Sequence, residues 1–416
     1  MPRQRPLAAL LILSGLNFFN YVDRSVLFAV LPLVQKEFPS PNLFGMGVDA
    51  SYGFLTTAFF VCYMVFAPVA GVLADRYPRK WLMVGGALIW CVATLLTAVT
   101  HSFTTLLIRH TVVGLGEATF VTIAPSFLAD LYSEEHRGRV FGWFYLNIGL
   151  GTAAGYMMGG YLGHHLGWRY PFYVVALPGF LLALALAALP EPVRGAKDLL
   201  QETFERTRIA GLFENGAFWT ATLGMAMVTF CLGGLEAWMP TFLNRIRDIP
   251  LDQGNLVFGG ITAVTAITGT MIGGWMGDKL LTRTKGAYYF VSAATLLISV
   301  PATLVAIYAS GRFMYPAMFV AEFLLFLNTA PLNAAVVNSV GASIRGTAIA
   351  VNLFTIHLLG DALSPTMIGR ISDHTTLQTG FLAAIAATVM AAVILFYGMK
   401  FAPQIPVPAK SKGEPA

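Results

Sequence analysis

Apolar stretches of about 20 residues, each long enough to cross a bilayer as a helix, recur along nearly the whole chain and constrain it more than any other feature. Clusters of Gly, Pro and charge separate twelve of them, at 7–34, 52–74, 81–99, 104–131, 140–163, 171–189, 216–243, 255–280, 287–309, 313–340, 347–371 and 379–401. Charged residues make up 11% of the 416, whereas a soluble domain carries about 25%. An ordinary water-soluble enzyme is excluded, and the fold class is an all-α polytopic membrane protein. The first span follows Arg3 and Arg5 as the core of a signal peptide would. It runs well past about 15 residues and lacks a clear small-residue cleavage site, so it reads as the first membrane helix.

An even number of spans puts both termini on one side. With the N-terminus inside, 18 of the lysines and arginines fall on that face and six on the other. The positive-inside rule therefore makes both termini cytoplasmic. The net charge of +5 includes no Lys/Arg cluster interleaved with aromatic residues, so no nucleic-acid partner is expected. Cys62, Cys91 and Cys231 all lie inside apolar stretches without a Cys or His at metal-ligand spacing. They read as packing residues, and neither a metal nor a cofactor is expected. Short termini and compact loops point to a bacterial inner-membrane protein, expected as a monomer.

The longest polar connection, residues 190–215, divides the chain nearly in half and carries charges of both signs. It reads as a cytoplasmic linker with a short amphipathic surface helix. The expected organisation is an N-terminal six-helix bundle over 1–189, a C-terminal six-helix bundle over 216–402 and a cytoplasmic tail over 403–416. An internal repeat supports the two pseudo-symmetric halves. Gly71-Val72-Leu73-Ala74-Asp75-Arg76 after span two matches Gly274-Trp275-Met276-Gly277-Asp278-Lys279 after span eight, and Arg137-Gly138 matches Arg345-Gly346. Pro125 in span four likewise matches Pro331 in span ten. A parallel duplication of this kind suits a carrier whose halves rock about a central site.

The loop Gly71 to Lys80 resembles the signature loop of the major facilitator superfamily, and its weaker copy in the second half strengthens the likeness. Three stretches further resemble the Spinster-like lipid transporters: Asn17 to Arg24, Asp75 to Lys80, and Gly114 to Thr119 followed by Ile123-Ala124-Pro125. These lie in the first 165 residues, and the second half supports only the superfamily. The resemblance implies twelve transmembrane helices in the major facilitator fold, with spans one, four, seven and ten lining a central cavity. It also implies coupling and substrate contact at the Asp23-Arg24 pair.

Ionisable residues inside membrane spans are costly and mark candidate pathways or proton relays. The acids are Asp23, Glu117, Glu236, Glu322 and Asp361, and the bases are Arg24, Arg109, His110 and His357. Asn17, Asn20 and Asp23 recur along one face of span one. Asp23 either gains and loses a proton as a cavity opens to each side, or joins Arg24 in a structural ion pair that holds span one against a neighbour.

In span four, His110 lies about 20° from the face of Glu117 and about 10.5 Å away along the axis, whereas Arg109 is about 80° off. The Spinster pattern has an arginine at the position of His110, so either residue is a candidate for an anionic headgroup. Alternatively, Arg109 snorkels to the outer interface and His110 packs. A histidine titrating near neutrality would make headgroup binding pH-dependent.

His357 and Asp361, four apart in span eleven, share a face, where they relay a proton or neutralise each other. Glu236 and Glu322 each hold a cationic amine, coordinate a proton or stay protonated. The candidate proton-coupling residues are thus Asp23, Glu117, His357 and Asp361. Candidate substrate contacts are Asn20, Arg24, Arg109, His110, Glu236 and Glu322.

On the cytoplasmic side, Asp75, Arg76 and Arg79 with Asp130 at the end of span four form a candidate gate. Asp75 caps a helix N-terminus in one state while Arg76 or Arg79 pairs with Asp130 or Glu134. The plainer reading makes these charges topology determinants alone. Gly151, Gly155, Gly159 and Gly160 have small-residue spacing for close helix packing. The run is also similar to the drug/proton antiporter motif, but Tyr156 stands where that motif has proline, which weakens an antiporter reading. Gly114-x-Gly116 has no preceding strand, so it is not read as nucleotide-binding. With no Walker motif, metal cluster or nucleophile elbow, neither a primary pump nor an enzyme is expected. The reading is a proton-coupled carrier of amphipathic lipids, a lysophospholipid or a sphingoid lipid, working by alternating access. A proton-coupled symporter of small organic anions is the alternative, and a membrane receptor or non-transporting scaffold the more distant one.

Overall fold

Helix ends decide where this chain turns, and side chains from other helices supply many of the caps. The computed structural model describes residues 5–41, 43–194, 210–309, 311–341 and 344–403. In the first half the helices are α1 (Pro6–Glu37), α2 (Val48–Arg76), α3 (Arg79–Ala98), α4 (Phe103–Ala129), α5 (Glu134–Leu166) and α6 (Tyr170–Ala187). A four-residue turn, α7 (Ala210–Phe213), precedes α8 (Gly216–Arg245), α9 (Leu251–Leu281) and α10 (Ala287–Tyr308). Then follow α11 (Met314–Phe326), α12 (Thr329–Asn338), α13 (Arg345–Ile356), α14 (Ser364–His374) and α15 (Leu377–Gly398). The amphipathic helix expected in the linker falls on residues outside the described ones, as does the tail beyond residue 403.

Among the described residues, eleven of the twelve expected spans are long and apolar enough to cross a membrane. The twelfth, α5, is 33 residues long, but its glycines lower its hydropathy while serving its packing. A Cβ on Gly151 would come within 2.5 Å of the Phe18 carbonyl, on Gly155 within 2.6 Å of Val22 O, and on Gly159 within 2.8 Å of Ala29 Cβ. α5 therefore lies backbone to backbone along α1.

Span ten is two helices. Pro331 lacks an N–H and crowds the Leu327 carbonyl four residues earlier, so the chain breaks between α11 and α12. That carbonyl leans onto Gly273 of α9, where a side chain would overlap it.

Contact divides the protein into two compact units. One holds α1 to α6 together with Phe230–Ile267 and His357–Ala384; the other includes Thr268–Ile356 and the remaining parts of α8 and α15. Besides the first six helices, the first unit thus takes in all of α14 and parts of α8, α9 and α15. The first unit's core includes Trp90, Phe120, Phe127 and Phe144, all without exposed surface.

Candidate functional site

Successive residues on a helix point about 100° apart, and α1 uses this to send neighbouring polar side chains to three different partners. Asn17 Nδ2 donates to the Phe144 carbonyl of α5 at 3.0 Å. Asp23 accepts from Thr94 Oγ1 of α3 at 2.5 Å. Arg24 Nε donates to Glu117 Oε2 of α4 at 2.6 Å. The ion pair of α1 therefore joins Arg24 to Glu117, and Asp23 faces elsewhere. Glu117 has no exposed surface and the Arg24 side chain is 15% exposed, so this charge pair sits in the protein interior.

The Gly-x-Gly of α4 explains how Glu117 reaches so far in. A Cβ on Gly114 would come within 2.5 Å of the Phe59 carbonyl of α2, and one on Gly116 within 2.5 Å of the Gly86 carbonyl of α3. Two glycines facing two helices let α4 settle between α2 and α3.

Four rings enclose the guanidinium: Arg24 Cζ lies 4.9 Å from the centroid of Tyr21, 5.1 Å from Phe59, 5.8 Å from Phe60 and 5.3 Å from Tyr63. Cation–π attraction holds the charge where water does not. Arg24 Nη2 and Glu117 Oε1 are nonetheless buried and complete no hydrogen bond of normal geometry. Asn20, without exposed surface, stands beside Glu117, and the Tyr63 hydroxyl stands beside Arg24. His110 is 7% exposed and stacks on Phe59 at 5.3 Å. Arg109, by contrast, is half-buried and donates to the Leu96 carbonyl and to Thr100 Oγ1. It closes the end of α3.

His357 and Asp361 belong to a π-helical turn between α13 and α14. Pro365 is the cause, since it has no N–H to offer four residues back and its ring crowds that carbonyl. Ala362 N instead donates to His357 O at 3.0 Å. The carbonyl of Ala362 accepts from Thr57 Oγ1 of α2, and that of Pro365 from Trp238 Nε1 at 2.9 Å. On the wide turn, His357 Nδ1 and Asp361 Oδ2 share a 2.7 Å hydrogen bond. The imidazole stacks on Phe60 at 5.2 Å, and Asp361 lies against Gly233 of α8. Glu236, one turn further along α8, is half-buried, and its carbonyl accepts from Tyr156 OH at 3.0 Å.

The end of α2 near Asp49 carries a cluster that sequence reasoning missed. Arg245 grips both oxygens of Asp49 at 2.8 and 2.7 Å, and Ser372 Oγ donates to Asp49 Oδ2 at 2.6 Å. Asp373 of α14 accepts from the backbone N–H groups of Asp49 and Ala50 at 2.8 and 3.0 Å, capping α2 from another helix. The one available signal was an acid in the first turn of a helix, where the helix dipole favours negative charge.

At the opposite end of α2, Arg79 reaches Asp130 at 2.5 Å, both buried. Asp75 and Arg76 are exposed. Glu191 caps α3 through the N–H groups of Arg79 and Lys80 at 3.1 and 2.9 Å. Arg194 donates to the carbonyls of Ala74, Asp75 and Tyr77, so residues just after α6 clamp both sides of the α2–α3 turn. In the second unit, Glu322 is buried on α11 and Asp278 accepts from Tyr288 OH at 2.8 Å.

Comparison with known proteins agrees with this architecture. The Major Facilitator Superfamily profile matches residues 13–365. The zebrafish (Danio rerio) Protein spinster homolog 3 is 34% identical over 393 residues, which cover 89% of this chain and 78% of the relative. The human Protein spinster homolog 1 is 34% identical over 388 residues, covering 87% and 72%. Among solved structures, a bacterial homolog to the human lysosomal transporter Spinster, in an inward-facing and unoccupied conformation, superposes with a TM-score of 0.85 at 22% identity, covering 97% of this chain and 99% of that one. A D-xylose-proton symporter superposes at 0.76 with 15% identity, covering 96% and 98%. This protein is an integral membrane transporter, not an enzyme, and it belongs to the Major Facilitator Superfamily among its Spinster homologues.

Proposed function

We propose that the protein is a proton-coupled secondary active transporter of amphipathic lipids, a lysophospholipid or a sphingoid lipid, working by alternating access. The observation that carries this reading is the interior Arg24–Glu117 pair, which joins two helices and sets a fully buried acid against a cation beside Asn20 and Tyr63. A proton on Glu117 discharges one partner and leaves Arg24 a cation available to a phosphate or other anionic headgroup. Loss of that proton restores the pair and displaces the headgroup. Proton and headgroup thus bind together and leave together, and such linked occupancy is what couples two fluxes.

Asp23, held by Thr94, serves as a second acid, and His357 with Asp361 as a third station. Asn20, His110, Glu236 and Glu322 contribute the remaining polar contacts. Arg109, committed to the end of α3, is left out of the headgroup site. The rings around Arg24 offer apolar surface next to charge, which an amphipathic substrate needs. Support for the lipid comes from the resemblance of Asn17 to Arg24, Asp75 to Lys80 and Gly114 to Thr119 to the Spinster-like lipid transporters, and for the proton from intramembrane acids on several helices. Asp75, Arg76, Arg79 and Asp130 form the cytoplasmic gate. The transporter resides as a monomer in a bacterial inner membrane with both termini cytoplasmic.

Reconstitution into proteoliposomes tests the proposal through uptake of labelled lysophosphatidylcholine and of a labelled phosphorylated sphingoid base, with and without a pH gradient. The expected result is uptake of one of them that rises with the gradient. Uptake of small carboxylates without either lipid transfers the assignment to an organic-anion symporter, and gradient-independent lipid flux overturns proton coupling.

A further inference from the structure

We infer that Phe60 and Tyr63 are positioning residues that link the His357–Asp361 pair to the Arg24–Glu117 pair, so that the charge state of one pair sets the proton occupancy of the other. The inference deepens the proposed proton coupling and rests on it.

The geometry is a shared wall. Phe60 presents its ring to the Arg24 guanidinium at 5.8 Å and to the His357 imidazole at 5.2 Å, nearly parallel to the latter at 21°. Tyr63, one turn along the same face of α2, meets Arg24 at 5.3 Å and His357 at 5.8 Å. Phe60 is 8% exposed and Tyr63 half-buried, so both rings stand between the two pairs. Thr57, a turn before Phe60, fastens α2 to the π-helical turn through the Ala362 carbonyl and through Thr366 Oγ1 at 2.7 Å. The rings cannot drift from His357 without breaking that attachment.

An aromatic face attracts cations. With a neutral imidazole, the two rings hold one cation, Arg24. With an imidazolium they hold two, whose mutual repulsion is offset by Asp361 on one side and Glu117 on the other. Proton gain at His357 thereby changes how firmly Glu117 keeps its charge. The other groups facing the site are Tyr21 of α1, which lies within electrostatic reach of Glu117, Asp361 and Glu236, Asp23 of α1, which lies within reach of Glu117 and Arg24, Glu236 of α8, and His110 of α4, which stacks on Phe59. None of these touches both pairs through a single ring as Phe60 and Tyr63 do, so removing the two rings isolates the link.

Infrared difference spectroscopy of the full-length protein in lipid follows the carboxyl stretch of Glu117 against pH, with Glu117→Gln identifying the band. His357→Gln is expected to move the Glu117 midpoint by about half to one pH unit, the size of a partly desolvated cation–π contact expressed as a titration shift. In a Phe60→Leu/Tyr63→Leu background, the same His357→Gln substitution is expected to move it by less than half as much. Phe60→Tyr and Tyr63→Phe, which keep the rings, are expected to retain the full shift and guard against misfolding of the leucine variants. An unmoved midpoint on His357→Gln, or a full shift surviving without both rings, overturns the link. The measurement needs no substrate, so a failure of lipid transport leaves this result standing, whereas absence of any titrating Glu117 band overturns the proton coupling itself.

Discussion

Arg245 on α8 and Asp49 on α2, 196 positions apart in the sequence, meet as a two-pronged ion pair with both bonds under 2.9 Å. Asp49 is 5% exposed and also accepts from Ser372, while its own backbone N–H is taken by Asp373. Two acids and one arginine thus tie α2, α8 and α14 at one end of the bundle. A planar guanidinium suits this geometry and a lysine does not.

The pair should behave as a coupled unit. A double-mutant cycle of Asp49→Asn and Arg245→Gln is expected to yield an interaction of about 1–3 kcal/mol, read from unfolding of the purified protein in detergent. Arg245→Lys should recover less than half of it. Additive single effects would mean that the contact contributes little.

Glu117→Gln removes the charge but keeps the shape beside Arg24. Transport driven by a pH gradient is expected to fall at least about tenfold, while the elution profile in detergent stays that of the folded protein. Asp23→Asn, facing Thr94, is expected to do the same through a separate acid. Gradient-driven uptake at the original level in both variants would remove these acids from the coupling scheme.

Gly155→Leu introduces a side chain where even a Cβ meets the Val22 carbonyl and Ser25 Cβ at 2.6 Å. Overpacking at such a contact costs about 1–3 kcal/mol. A lower thermal midpoint than Gly138→Leu, whose Cβ meets no neighbouring atom, is the expected comparison.

Glu191→Ala strips the cap from α3 and leaves two backbone N–H groups without their acceptor. A loss of about 1 kcal/mol is expected, together with faster tryptic cleavage after Arg76 in the exposed α2–α3 turn. Arg194→Ala, which frees the carbonyls of α2, should accelerate the same cleavage. An unchanged digestion rate in both variants would show that the turn holds itself.

Much of the architecture was legible because a bilayer forces long apolar runs, and the buried acids stood out because they interrupt those runs. What helical spacing does not carry is which neighbour a face meets. Asp23 and Arg24 adjoin in sequence, but only the packing of α3 and α4 around α1 sends one to Thr94 and the other to Glu117. Spacing correctly set His110 and Arg109 on different sides of α4, and the structure gives the first a ring and the second a helix end. Nothing local to Asp49 or Arg245 foretells a partner on another helix. The widened turn at His357 had a signal in Pro365, four residues beyond Asp361. Residues 190–194 looked like the start of a solvated linker because capping of a remote helix end leaves no periodic trace.

The glycine seam between α1 and α5 also bears on how an oily molecule gets in. Where two backbones touch along Gly151, Gly155 and Gly159, no slit remains for an acyl chain to slip sideways from the lipid phase. Prising that seam apart would forfeit the close backbone packing that its small residues permit. For the lipid substrate proposed above, this seam offers no lateral doorway, and entry is expected along another pair of helices.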